Sequence, residues 1–132
     1  MNYLIDTHIF LWSLFSPQKI SKPAAQTIRK SENRIFVSSV TFWEIALKYA
    51  LKKLELKGIT PDQLPQFADR MDFEILNLNA DDAASFHNLP RIERRDPFGR
   101  MIIWQAIREK MILISKDIET QVYQEFGLKI LK

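Results

Sequence analysis

Short apolar runs alternate along this chain with longer stretches whose apolar positions recur at helical spacing. Residues 2–5, 35–37 and 111–115 are too short and too uniformly apolar for helices, and read as strands buried on both faces. Residues 73–78 alternate apolar and polar like a further strand, and 128–131 follow as an edge strand after Gly127. Between them lie helices at 7–15, at 24–30 behind the Ser21 cap and Pro23, and from Thr60-Pro61 to about 71. Asn79 caps a helix over 80–89 that Pro90 closes, and Asp96-Pro97 opens one running to about 110. A last helix covers 118–125, and Arg91-Ile92-Glu93-Arg94-Arg95 is a charged loop without periodicity. Strands alternating with helices in this way predict an α/β fold with a parallel sheet covered on both sides.

The most informative helix is Ser38-Ser39-Val40-Thr41-Phe42-Trp43-Glu44-Ile45-Ala46-Leu47-Lys48-Tyr49-Ala50-Leu51. On a helical wheel Val40, Trp43, Leu47, Leu51 and Leu54 form one stripe, and Glu44 falls inside it. An inward carboxylate is costly unless a cation meets it. Thr41 and Glu44 also have the spacing of a capping box, which would turn Glu44 toward its own backbone.

Composition narrows the chemistry. A chain of 132 residues makes one domain over 1–132 and buries about two-thirds of its unfolded surface. The net charge of +3 permits anionic partners without demanding them. The absence of cysteine excludes disulfides, zinc–thiolate sites and thiol catalysis, and agrees with a cytoplasmic location. Two histidines, His8 and His87, exclude a multi-histidine centre, so any metal must be a hard ion on oxygen ligands. No apolar run has the length of a membrane span, and residues 2–6 do not open a signal peptide.

Ligands of open parallel sheets bind beyond the carboxyl ends of the strands, and four acids fall on that edge. Asp6 follows the first strand, Glu44 lies in the helix after the second, and Asp96 and Asp117 bracket the strand at 111–115. Each alone reads equally well as a helix cap. Together they repel one another unless a divalent cation neutralises them, and a few carboxylates plus water suit magnesium. Such an ion serves phosphodiester hydrolysis.

Tyr3-Leu4-Ile5-Asp6-Thr7-His8, Ser38-Ser39-Val40 through Trp43-Glu44-Ile45, and Ser115-Lys116-Asp117 resemble, in order, the motifs of PIN-domain nucleases. The resemblance is closest to VapC-like toxins of bacterial toxin–antitoxin pairs. Arg95-Asp96-Pro97-Phe98-Gly99-Arg100-Met101-Ile102-Ile103-Trp104-Gln105-Ala106 is similar to a signature of one branch of them. The resemblance implies a PIN-like α/β/α sandwich with a mostly parallel central sheet. It also implies a Mg2+- or Mn2+-dependent ribonuclease and a cognate antitoxin as partner. Asp6, Glu44 and Asp117 match the family's metal-site acids, and Thr7 matches the small hydroxyl residue beside the first of them.

One position departs from the pattern. The family carries Asp-Pro-Phe-Asp-Arg, so a ligand aspartate is expected where Gly99 stands. Glycine near the third residue of a helix costs about 1 kcal/mol relative to alanine, and Gly99 reads as a lost ligand. Asp96 is close enough in sequence to lean in, with the helix cap as its alternative role. Arg94, Arg95, Arg100 and Lys116 flank the acid edge as candidate RNA contacts with Thr7, or else belong to an ordinary solvated surface. Lys48, Lys52, Lys53 and Lys57 read as a solvated helix face, and His8 as a structural hydrogen bonder. Phe10, Trp12 and Phe15 crowd a short helix and either fill the core or leave a groove for an antitoxin helix or a second copy in a homodimer. Three functions compete on this reading. They are a toxin ribonuclease impaired at Gly99, an inactive PIN module that binds antitoxin or RNA, and a phosphoacceptor signalling domain. The last needs an acidic pair after the first strand, where Thr7-His8 follows Asp6.

Overall fold

The computed structural model describes residues 1–91 and 96–132. Five strands, β1 (Asn2–Ile5), β2 (Arg34–Ser38), β3 (Glu74–Leu76), β4 (Ile112–Ile114) and β5 (Lys129–Leu131), form one sheet in the order β3-β2-β1-β4-β5. Every pairing is parallel. Six α-helices are described: α1 (Thr7–Phe15), α2 (Lys22–Arg29), α3 (Ser39–Ala50), α4 (Leu64–Arg70), α5 (Ala80–Ser85) and α6 (Pro97–Arg108).

The period of two along each strand sorts the core into two layers. Leu4, Phe36 and Leu113 pack with Ile102, Ile103 and Ala106 of α6 and with Leu89 and Tyr123. Ile5, Val37 and Ile114 point the other way, onto Ile9 and Phe10 of α1, Ala24 of α2, and Leu64 and Ala68 of α4. The result is the expected α/β/α sandwich.

Two expected helices are shorter than their periodicity implies. The stretch at 80–89 divides into α5 and a 3-10 turn, Phe86–Asn88, because Pro90 drives Leu89 into extended backbone with ψ 122°. The stretch at 60–71 opens as a 3-10 turn, Pro61–Gln63, before α4. The last expected helix is a 3-10 run, Ile118–Phe126, ended by Gly127 at φ 100°. Its β-branched Ile118, Thr120 and Val122 are weak α-helix formers.

The inward face of α3 also differs from expectation. Its buried residues are Val40, Thr41, Glu44 and Ile45, whereas Trp43 is 62% exposed, Leu51 56% and Leu47 39%. The buried arc is rotated roughly a quarter turn from the apolar stripe read off the wheel. Leu54 lies beyond the helix, which stops at Ala50 with Lys52 at φ 60°. Val40 joins one core layer and Ile45 the other, so α3 straddles the seam at the edge of the sandwich. That position, and not the period, decides which part of a wide apolar arc is covered.

Candidate functional site

The chain runs from β1 to β2 and β3 on one side, then returns to lay β4 on the other side of β1. The sheet's switch point is therefore the carboxyl edge of β1 and β4, where a crevice opens by topology alone. Register aligns Ile5 with Val37 and with Ile114, so Asp6, Ser38 and Ser115 leave the sheet at one level. A cleft of about 60 Å³ opens there, room for about four waters. Asp6, Glu44, Asp96 and Asp117 all line it, together with Gly99, Thr7, His8 and Thr120.

Three of these acids also cap the element they begin. Asp6 Oδ1 accepts the Ile9 N–H at 2.9 Å, Asp96 Oδ1 the Gly99 N–H at 2.7 Å, and Asp117 Oδ1 the Glu119 N–H at 2.9 Å. Capping holds one oxygen of each carboxylate and fixes the plane in which the second lies. Cap and cleft are thus one arrangement. Burial raises the pKa of Asp6 above its ordinary value, and the neighbouring Asp117 charge adds to the rise. Hydrogen bonds from Ser115 and from the Ile9 N–H, with the nearby His8, act in the opposite direction.

Glu44 is not a cap. Ser38 caps α3 through the Val40 N–H at 3.0 Å, and Thr41 lies inside the helix. Glu44, 7% exposed, is held from two sides: Thr7 Oγ1 donates to its Oε1 at 2.7 Å, and Lys48 Nζ to its Oε2 at 2.5 Å. Because the single Thr7 hydroxyl proton goes to Glu44, Thr41 is the donor in the 3.1 Å Thr7–Thr41 contact. Lys48, read from sequence as part of a solvated face, is the counter-ion of the buried acid, and the i,i+4 spacing was the available signal. Thr41, read from sequence as half of a capping box, instead donates to Thr7, and Thr120 was missed because an isolated threonine carries no pattern.

The other expected residues divide. Thr7 lines the cleft but gives its proton to Glu44. Gly99 lies in the first turn of α6, outside the left-handed region, so no turn requires a glycine there. Arg100 turns away from the acids: its guanidinium donates to the Leu89 carbonyl at 3.1 Å and stacks 4.7 Å from the Phe86 ring centre. Lys116 remains beside the acid edge, its Nζ donating to the Lys19 carbonyl at 2.5 Å. Arg94 and Arg95 lie outside the described residues. The phosphoacceptor alternative gains nothing, since α1 begins directly at Thr7 and puts no second acid beside Asp6.

Apart from the single His8 imidazole, the donors around the cleft are carboxylate and hydroxyl oxygens, the chemistry of a hard divalent cation. Asp6 and Asp117, close enough to raise the Asp6 pKa, are the pair such a charge would relieve. Among the described residues no three His, Asp or Glu side chains are grouped closely enough to hold a metal ion. Glu44 is drawn aside by Lys48, and Gly99 offers no side-chain oxygen. The residues present therefore fit an ion held chiefly by Asp6 and Asp117, with water completing its shell.

Comparison with known proteins gives the family and the fold. The PIN domain matches residues 3–124. Ribonuclease VapC22 of Mycobacterium tuberculosis is 26% identical over 114 residues, covering 86% of this chain and 85% of that protein. The solved structure of VapBC2 from Rickettsia felis, bound to a DNA fragment from their promoter, superposes with a TM-score of 0.70. It is 18% identical, with 99% of this chain and 98% of that one covered. VapBC-1 from nontypeable Haemophilus influenzae gives a TM-score of 0.66 at 16% identity, covering 100% and 98%. With five parallel strands, a switch-point cleft ringed by acids and a family match over nearly its whole length, this chain belongs to the PIN domain family.

Proposed function

We propose that this protein is the toxin of a toxin–antitoxin pair and an endoribonuclease that hydrolyses RNA phosphodiesters, weakened by Gly99. The observation that carries the reading is the convergence of Asp6, Glu44, Asp96 and Asp117 on the one crevice that the topology opens. Its relatives are a named ribonuclease and VapBC assemblies, which supports RNA as substrate and an antitoxin as partner. A Mg2+ or Mn2+ ion, when bound at Asp6 and Asp117, supplies charge neutralisation and an activated water for phosphodiester cleavage. The chain's own contribution is orientation. The Ile9 N–H holds one oxygen of the Asp6 carboxylate, and Thr7 and Lys48 hold Glu44 at the cleft wall. The site of action on this reading is the cytoplasm, where RNA and a cysteine-free protein meet.

A second reading is a PIN module that binds antitoxin or RNA without cutting. Gly99, which offers no side-chain oxygen, and Glu44, already engaged by Thr7 and Lys48, favour it. Gly99→Asp separates the two. Misplacement by about 1 Å already costs roughly a hundredfold in rate, and loss of a ligand should cost at least as much. Gly99→Asp is therefore expected to tighten Mn2+ binding, read by calorimetry, and to raise metal-dependent cleavage of a mixed RNA pool about a hundredfold or more. Equal and robust cleavage by both proteins would remove Gly99 as a missing ligand. No cleavage by either would favour the binding module.

A further inference from the structure

Beside the acid cleft, and sharing Asp6, His8 and Asp117 with it, lies a depression of about 240 Å³ completed by Trp12 and Lys116. His8 and Trp12 stand one turn apart on α1, their rings 5.9 Å apart and tilted by 41°. Lys116 Nζ is 5.6 Å from the Trp12 ring centre and is anchored by the Lys19 carbonyl. Packing explains part of this. Trp12 lies half-buried against one core layer. It does not explain His8, an exposed ring that covers no core, or why a lysine is tethered over a half-open indole at the mouth of an acid cleft. A cleft lined by carboxylates repels a polyanion, so a nucleic acid needs a fixed cation at its rim. Aromatic faces beside such a cation are the usual platform for an unpaired base.

We infer that this depression is a subsite for one unpaired nucleotide of the RNA, next to the phosphate that enters the cleft. The base displaces the Lys116 ammonium from over the indole and lies against Trp12 and His8, and Lys116, at the rim, meets its phosphate. The inference rests on the ribonuclease reading for the identity of the ligand and adds its form. A base held in a duplex cannot reach the indole, so the substrate is single-stranded at this position. His8, Trp12 and Lys116 are on this view positioning residues.

The test uses binding in EDTA, where no RNA is cut. Trp43→Phe combined with Trp104→Phe leaves Trp12 as the lone reporter of the chain's three tryptophans. A short single-stranded RNA should quench it, whereas the same RNA as a duplex, or with central abasic residues, should not. By anisotropy of labelled RNA, His8→Ala and Trp12→Leu should each weaken binding about tenfold, the loss of a stacked base, with Trp12→Phe recovering most of it. Lys116→Gln should weaken all RNAs alike and flatten the salt dependence. His8→Ala alters an exposed side chain, so its result stands even if Trp12→Leu fails to fold. Undiminished affinity in His8→Ala, with Trp12 fluorescence unchanged by bound RNA, overturns the subsite. If that protein still cuts RNA, the nuclease reading survives. Quenching without cleavage, even in Gly99→Asp, keeps the subsite and rejects the nuclease. An RNA pool that binds neither in EDTA nor with Ca2+ in its place removes both.

Discussion

At the scale of single residues, the acids of the cleft do two things at once. Asp6, Asp96 and Asp117 each give one oxygen to a backbone N–H, so the bland role and the chemical role coexist in one carboxylate. For Asp6 the cost is visible in its raised pKa, whose main cause is desolvation. The sign of the linkage follows. The folded state holds the Asp6 proton more tightly than the unfolded chain, so the associated stability is full below the ordinary value of 3.8. It is lost as pH rises through the higher folded pKa. Asparagine keeps an oxygen for the Ile9 N–H and carries no charge. In EDTA, Asp6→Asn should melt above the parent at pH 7, and the gap should close toward pH 4. A variant less stable than the parent at pH 7 would show that the cap prefers the ionised form strongly enough to outweigh burial.

At the scale of elements, α3 shows how a helix can carry a buried acid without a metal. Glu44 and Lys48 share a face one turn apart, and Lys48 Nζ also lies 6.0 Å from the Phe98 ring centre. Since Lys48 is 39% exposed, its pairing with Glu44 is only partly shielded from solvent. Lys48→Met should therefore cost about 1–2 kcal/mol, between the surface and fully buried limits. Adding Glu44→Leu should restore most of it, because the stranded charge is removed. Urea unfolding without metal reads both numbers. A silent Lys48→Met would mean that Thr7 alone satisfies Glu44.

At the scale of the whole molecule, sheet order places the crevice, and apolar surfaces remain open to solvent, two of them beside α3 and α1. One is the α3 stripe of Trp43, Leu47 and Leu51. The other is a groove of about 230 Å³ in which Leu11, Trp12 and Phe15 face Leu54 and Leu56. Phe10, for which core and groove were both open, belongs to the core and is wholly buried. Exposed apolar surfaces of this kind suit protein contacts. Leu47→Glu with Leu51→Glu should leave the melting temperature within about 1 °C, since both residues are exposed. If copies of the chain pair through this stripe, the same substitutions should give a smaller species in sedimentation. An unchanged sedimentation coefficient would remove this stripe as a contact between copies.

The sequence by itself determined the element order, the parallel sheet and the identity of the acids at its carboxyl edge. Strand length, apolar continuity and cap residues are local properties, and Ser21, Asn79 and Asp96 cap the helices at which they stand. It also marked Gly99, because no turn there asks for glycine. What it left open depends on distance in space. Periodicity set the spacing of the α3 stripe but not its inward direction, which the seam between the two core layers chose. The pairing of Glu44 with Thr7, 37 residues away, exists only once β1 lies beside β2. Arg100 and Lys116 both flank the acids in sequence, yet one guanidinium folds onto Leu89 and Phe86 while the other residue's ammonium stays at the rim. Charge is written in the chain; which charges meet is decided by how strands from its two ends come to share one edge.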